Sequence, residues 1–235
     1  MAEEDDSKVQ VNVRRGEIDP LDRPAVFCIG HPRSGTSLSS NILASDETVE
    51  WLTNTGSQQN EEVGYFEYKP FLSQSVAFMN EQWDITQADE VAGVLETMRQ
   101  LDHNPGAKIL HPHSWYNWKQ FFEDTKNLLI FREPTHARKS LWNHRLNWPI
   151  DWYTSANVQI GIYEDAENAV LVKFKRLMQE PEKVGEKIYD ELGLEVDTSI
   201  VDSDEWHERE TRTVVGQLEE MVYDRLTELE EEQYE

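Results

Sequence analysis

The stretch Phe27-Cys-Ile-Gly-His-Pro-Arg-Ser-Gly-Thr-Ser-Leu38 decides the fold. It overlaps an apolar run, Ala25-Val-Phe-Cys-Ile-Gly30, bounded by Pro24 and Gly30 and short enough for a buried strand of a parallel sheet. Its last part opens a helix predicted from Thr36 to Ser45, with Leu38, Ile42 and Leu43 on one face. Between the two lies a turn containing Gly30 and Gly35. A buried strand that turns through glycine into a helix aims backbone N–H groups and the positive end of the helix dipole at one point, which suits an anion. Pro32, Arg33, Ser34, Thr36 and Ser37 add a cation and hydroxyls to that point. A phosphate-type ligand is therefore expected there, rather than a plain connecting turn.

Outward from this loop, apolar residues at helical spacing predict helices over Lys69–Trp83 (Phe71, Leu72, Val76, Met79) and Gln87–Leu101 (Val91, Val94, Leu95, Met98). Ala107–Leu110 reads as a second strand, Trp115–Asp124 as a helix, and Asn127–Phe131 as the clearest buried strand after the first. Pro134 suits the opening turn of a helix running to about Leu146. Val170–Phe174 reads as another strand, followed by a helix from Pro181 to about Leu192 that Gly193 stops. Strands alternating with helices imply an α/β domain with a mostly parallel sheet. The tail from Val214 is predicted helical, with Leu218, Met221, Val222 and Leu226 on one face. From Gln217 onward it carries eight acids and one base, the pattern of a solvated face. With no internal repeat and no Pro/Gly/Ser linker, the expected organisation is a flexible acidic arm at 1–22 and one domain at 23–235, ending in an acidic helix at about 214–235.

Gly30 and Gly35 also have the spacing of the two glycines of a nucleotide P-loop, and Ser37 holds its hydroxyl position; Thr36 stands where the P-loop has its Lys. The cation has moved inside the loop, to Arg33. A second segment, Leu128–His144, ends its strand in Arg132, at the edge where open α/β sheets bind ligands. A guanidinium donates two parallel bonds to a phosphate. Ser140, eight residues on, lies about two helical turns further, within reach of the same phosphate.

The segment Pro32–Ser37 resembles the phosphosulfate loop of sulfotransferases that use 3′-phosphoadenosine 5′-phosphosulfate (PAPS), in which a Lys or Arg follows the Pro and Ser-Gly-Thr-Thr/Ser comes next. Leu128–His144 is similar to the family's 3′-phosphate motif, strand-Arg-x-Pro-x5-Ser. Val170–Leu194 resembles its later strand, Pro-started helix and Leu-Gly end. The likeness spans roughly Ala25 to Leu194. It implies a P-loop-like three-layer α/β fold with a mostly parallel central sheet flanked by helices. It also implies that Arg33 contacts the 5′ group and bridging oxygen, that Ser34, Gly35, Thr36 and Ser37 cradle that group, and that Arg132 and Ser140 hold the 3′-phosphate. The family's C-terminal Arg-Lys-Gly stretch closes over the 3′-phosphate; its nearest counterpart here is Glu210–Gly216, with Arg212 as the cation.

Sulfuryl transfer needs a base for the acceptor hydroxyl, an in-line sulfuryl group, and stabilised negative charge on the departing phosphate oxygen. Two candidates for the base stand open. Asn60–Glu67 resembles a family segment in which a Glu faces the acceptor, and it offers Glu62 and, preferred, Glu67. His111, after the Ala107–Leu110 strand, lies near where cytosolic members place a catalytic His and more distant members a Lys; neutral imidazole is the natural base near pH 7. No metal is expected, because His111 and His113 are two apart on a strand end and the sequence partners no carboxylate with them. Trp115, Trp118, Trp142, Trp148 and Trp152 are candidates either for stacking on an acceptor sugar or for core packing.

Composition bounds the function classes. The 235 residues include 22 Lys plus Arg and 46 Asp plus Glu, a formal charge of −24, while 38% hydrophobic and 10% aromatic content suffices for a packed core. Passive nucleic-acid coating and attachment to an anionic membrane both need a basic face, and are excluded. Acid spreads over Met1–Asp6, Asp84–Glu96, Glu164–Glu167 and Asp190–Glu210, with ten Lys against twelve Arg, as in a protein from a salt-loving source. The single Cys28 excludes an intrachain disulfide framework and a Cys-rich zinc site. No apolar run approaches ~18 residues and the first residues are acidic, so neither a spanning helix nor a signal peptide is expected, and the protein is read as cytoplasmic. The expected activity is PAPS-dependent transfer to a hydroxyl or amine of a glycan, lipid or small molecule. A nucleotide kinase or NTPase is the rival enzyme, but it requires Lys at position 36 and a strand ending in a metal-binding Asp where Arg132 stands. A non-catalytic nucleotide-binding module is the third reading.

Overall fold

The computed structural model describes residues 19–52, 70–71, 73–75, 85–143, 151–202 and 215–235. Five strands share one sheet: β1 (Ala25–Ile29), β2 (Val49–Trp51), β3 (Asn104–Ile109), β4 (Thr125–Phe131) and β5 (Asn168–Lys173). Their order is β2-β3-β1-β4-β5 and every neighbouring pair is parallel. The helices are α1 (Thr36–Leu43), α2 (Ile85–Arg99), α3 (Pro134–Asn143), α4 (Trp152–Asp165), α5 (Phe174–Gln179), α6 (Pro181–Leu192) and α7 (Gln217–Glu232). A short run, Pro112–Ser114, Trp115–Trp118 and Lys119–Phe121, links β3 to β4.

Parallel strands require crossovers, and the crossover helices cover both faces of the sheet. All of β1 is buried, as its unbroken apolar run predicts. Its alternate residues serve two cores. Ala25, Phe27 and Ile29 face a layer that includes Val94 and Leu95 of α2, Trp118, Ile162 of α4 and Leu226 of α7. Val26 and Cys28 face Ile42 and Leu43 of α1 and Val184, Ile188 and Leu192 of α6. This is the α/β architecture with a parallel central sheet that the alternation predicts, in the three layers that the resemblance implies.

Local differences have physical reasons. β2 is only three residues long, too short for a periodicity signal; the Trp51 ring occupies the space beside Gly106, where a Cβ would come within 2.3 Å of it. α4 starts on a polar cap, Asp151 accepting from the Thr154 amide at 2.8 Å, rather than on an apolar stripe. The predicted Trp115–Asp124 helix breaks into 3-10 and α turns and ends before Phe122, which is extended. β5 ends at Lys173, so Phe174 opens a helix instead of closing the strand. Leu21, inside the stretch read as an arm, is buried and bridges to Phe122. Of the predicted Lys69–Trp83 helix, 70–71 and 73–75 are helical and the remainder lies outside the described residues. α3 starts at Pro134 as expected, and α6 ends at Gly193 in a left-handed conformation (φ 60°).

The tail helix is turned relative to its predicted face. Leu218 and Met221 are exposed, whereas Val222, Leu226, Leu229 and Glu230 are buried. Glu230 forms two bonds to Arg176, at 2.5 and 3.0 Å, and Gln233 brackets the backbone of Leu171, accepting from its amide at 3.2 Å and donating to its carbonyl. The end of α7 and the residue that caps it thereby satisfy backbone groups of β5, an edge strand of the sheet. No helix among the described residues is long and apolar enough to cross a membrane.

Candidate active site

β1 lies between β3 and β4, so the chain leaving β1 crosses to one side of it and later returns on the other. That reversal opens a crevice beyond the carboxyl ends of the strands, the place where open α/β sheets take ligands. The residues following four of the strands are Gly30 after β1, Leu110 and His111 after β3, Arg132 after β4 and Phe174 after β5.

The loop after β1 is held in an unusual conformation. Arg33 has φ 70°, the one non-glycine residue with positive φ among those described, and Gly35 has φ 101°. Such a conformation costs about 1–3 kcal/mol at a residue bearing a Cβ and persists where the surroundings enforce it. At Gly35 the reason for glycine is double. The left-handed φ disfavours a side chain, and a Cβ would lie 2.3 Å from the Phe174 ring. Ser34 donates its amide to His31 carbonyl at 3.1 Å, closing the turn. Among the described residues, α1 begins with no side-chain cap and no acid in its first turn, an end that suits an anion. Ser34 Oγ is fully buried in this loop without a hydrogen-bond partner among the described residues.

The second motif is brought onto the first. Arg33 Nε donates to Ser140 Oγ at 2.9 Å, joining residues 107 apart in the chain. Arg132 lies over the Phe174 ring, 4.7 Å from its centroid, and its carbonyl accepts from Trp152 Nε1 at 2.9 Å. Burial and then the Arg33 charge push the Arg132 guanidinium below its usual pKa, against the partial support of Glu133. Arg132 shares a small recess with Glu133, His136, Lys173, Phe174, Lys175 and Tyr223. In a chain of charge −24, Arg33 and Arg132 stand close enough in the crevice to repel each other, only partly offset by Glu133. A polyanion resolves that repulsion.

Two further groups flank the loop. His111, closing β3, is buried, and burial together with His113 and His31 lowers its pKa to about 4. The imidazole is thus neutral at pH 7, as a base must be, but its proton affinity is low until an anion stands near it. Lys108 on β3, 3% exposed, donates to Ser37 Oγ at 3.2 Å. The sequence alone marks neither Lys108 nor Phe174 as a site residue. A Lys inside an apolar strand was the available signal for the first, since lysine is almost never fully buried without a partner. Position directly after a parallel strand was the signal for the second.

The structure therefore brings Arg33, Ser34, Gly35, Thr36, Ser37 and Ser140 into one neighbourhood with Arg132, and puts His111 beside the loop residue His31. Glu62, Glu67, Arg212, His144 and Trp148 lie outside the described residues. Trp115 and Trp118 are core residues: Trp115 donates to Asn127 Oδ1 at 2.7 Å, and Trp118 donates to Ser75 and stacks on Phe71 at 4.2 Å. They do not line an acceptor pocket. Among the described residues, no group of three His, Cys, Asp or Glu is placed to hold a metal ion.

A family model described as "Sulfotransferase family" matches residues 24–198, most of the chain and all of this crevice except what α7 contributes. The chain belongs to the sulfotransferase family. Among solved structures, this sulfotransferase is similar to a sulfotransferase domain from the curacin biosynthetic pathway (14% identity, 89% of this chain and 99% of that one, TM-score 0.59). It is also similar to a sulfotransferase domain of the Synechococcus PCC 7002 olefin synthase (16% identity, 89% and 96%, TM-score 0.59). At these identities the likeness concerns the fold of the sulfotransferase. No curated protein sequence matches it.

Proposed function

We propose that the protein transfers a sulfuryl group from PAPS to a hydroxyl or amine of a glycan, lipid or small molecule. The observation that carries this reading is the Arg33–Ser140 bond. It joins the loop suited to a 5′-phosphosulfate to the helix following Arg132, so both ends of a bisphosphorylated nucleotide meet their cations in one crevice. The mutually repelling guanidiniums and the buried Ser34 hydroxyl fit such a donor, because each gains from oxygen-rich anions. The donor supplies an activated sulfuryl group on a phosphate leaving group.

The chain's own residues do the rest. Arg33, the amide end of α1 and the hydroxyls of Thr36 and Ser37 stabilise negative charge at the 5′ end. Arg132 and Ser140 hold the 3′-phosphate, and Phe174 supports Arg132 from beneath. Glu67 or His111 takes the proton from the acceptor hydroxyl. Arg212 is proposed as a further cation at the 3′-phosphate. Thr36 in the P-loop Lys position and Arg132 in place of a metal-binding Asp weigh against a nucleotide triphosphatase.

Calorimetry tests the donor. Adenosine 3′,5′-bisphosphate should bind, and ATP with Mg²⁺ should give little heat; the opposite preference overturns the assignment. Radiolabelled transfer from PAPS over glycan and lipid extracts should then label an acceptor. Binding without transfer to any extract would favour a non-catalytic nucleotide-binding module.

A further inference from the structure

The donor reading gives no part to α7, the helix that follows both phosphate motifs in the chain. Its side chains nevertheless end beside the backbone that carries Arg132. Trp152 Nε1 donates to the Arg132 carbonyl at 2.9 Å, which fixes the peptide plane on the carboxyl side of that residue. Tyr223 of α7 packs on this indole, with ring centroids 6.3 Å apart. The same ring meets Phe131, the residue on the amino side of Arg132, edge-on at 5.9 Å. Tyr223 therefore bears on the supports at both sides of Arg132, and it lines the recess that Arg132 shares. A second contact reaches the helix of Ser140. Glu219 of α7 pairs with Arg138, two residues before Ser140 on α3. The same carboxylate accepts from the Gly216 amide at 3.1 Å, so the start of α7 and α3 share one anchor. The far end of α7 is held separately, by Glu230 on Arg176 and by Gln233 on Leu171.

We infer that Tyr223 and Glu219 are positioning residues for the 3′-phosphate end of the donor. Tyr223 aims Arg132 through Trp152 and Phe131, and Glu219 steadies α3, and with it Ser140, through Arg138. The inference rests on the donor reading above and adds the C-terminal helix to the machinery of that site. A guanidinium gains its full advantage on a phosphate only when both arms of the fork bond together, which demands a fixed approach. A displacement of about 1 Å forfeits much of that gain. Phe174 supports the guanidinium itself, 4.7 Å beneath it, whereas the Tyr223 ring steadies the backbone from which the side chain springs. Holding Arg132 from both ends before the ligand arrives lowers the ordering cost of binding.

Two nucleotides that differ only at the 3′ position separate positioning from packing. In calorimetry, wild-type protein should bind adenosine 3′,5′-bisphosphate more tightly than adenosine 5′-monophosphate. Tyr223→Leu should reduce that preference about tenfold by weakening the bisphosphate, with the monophosphate kept within about twofold. Tyr223→Phe keeps the ring and should restore the wild-type ratio. Glu219→Gln keeps an acceptor for the Gly216 amide but loses the charge facing Arg138. It should reduce the preference by about threefold, and it carries the comparison should Tyr223→Leu not fold. In an Arg132→Ala background, Tyr223→Leu should change the ratio no further. Equal losses for both nucleotides would make the α7 residues structural, and no loss for either would make them irrelevant to the site. An effect undiminished without Arg132 would mean that Tyr223 acts on something else. Each of these three results overturns the inference alone. A wild type that binds neither nucleotide, or shows no preference for the bisphosphate, overturns the donor reading and this inference together.

Discussion

Two arginines of this molecule live in opposite electrostatic worlds. Arg176 is clasped by Glu230 through two hydrogen bonds, and those bonds raise its pKa above the usual value. Arg132 has a like charge, Arg33, for its strongest ionic neighbour, and burial with that repulsion lowers its pKa. The first is a finished interaction, the second an unfinished one. Groups held against their electrostatic preference cluster where a ligand completes them, whereas satisfied pairs hold the scaffold. The same residue type, after two neighbouring strands, thus distinguishes site from support.

The contrast breaks most visibly with one substitution made at both positions. Arg176→Ala leaves the Glu230 carboxylate, whose side chain is 0% exposed, without its cation, and should cost about 3–5 kcal/mol of folding stability in denaturant titrations. A loss below about 1 kcal/mol would mean that α7 docks by its apolar residues alone. A smaller effect concerns His111. Its folded pKa of about 4 lies below the ordinary 6.5, so the unfolded chain binds the proton first. The stability it contributes is complete above pH ~6.5 and is lost as the pH falls toward 4, amounting to up to about 3 kcal/mol. His111→Gln should flatten the pH dependence of the unfolding midpoint over that interval; a parallel profile would show that His111 is protonated in the folded protein. Third, Arg132→Ala should leave stability within about 0.5 kcal/mol while weakening adenosine 3′,5′-bisphosphate by roughly 10–100-fold. Unchanged affinity would remove Arg132 from the nucleotide site.

The fold was largely legible because its determinants are local. The apolar runs at β1 and β4, Pro134 at a helix start and Gly193 at a helix end each act through a few neighbouring residues. The loop and Arg132 were legible as well, since cations and glycines at strand ends are rare enough to stand out. What was illegible depends on partners distant in sequence. The register of α7 is set by Glu230 reaching Arg176 and Gln233 reaching Leu171, so a carboxylate counted as solvated is buried, while Leu218 and Met221 face solvent. Lys108 gains its meaning from Ser37, 71 residues earlier. β2 carries too few residues for any period to show.

The bond between Arg33 and Ser140 also bears on how the molecule comes to exist. A contact of that span carries a large loop-closure cost, and the intervening sheet holds its two ends together. A growing chain that has completed α1 holds half a receptor, with Arg33, Ser34 and the helix end but neither Arg132 nor Phe174. Only the finished sheet presents both halves, so a nucleotide of the proposed kind would bind the folded chain and withdraw it from the unfolding equilibrium. At about a hundred times the dissociation constant that shift amounts to about 2.7 kcal/mol. The proposed donor would then also prolong the life of the folded protein.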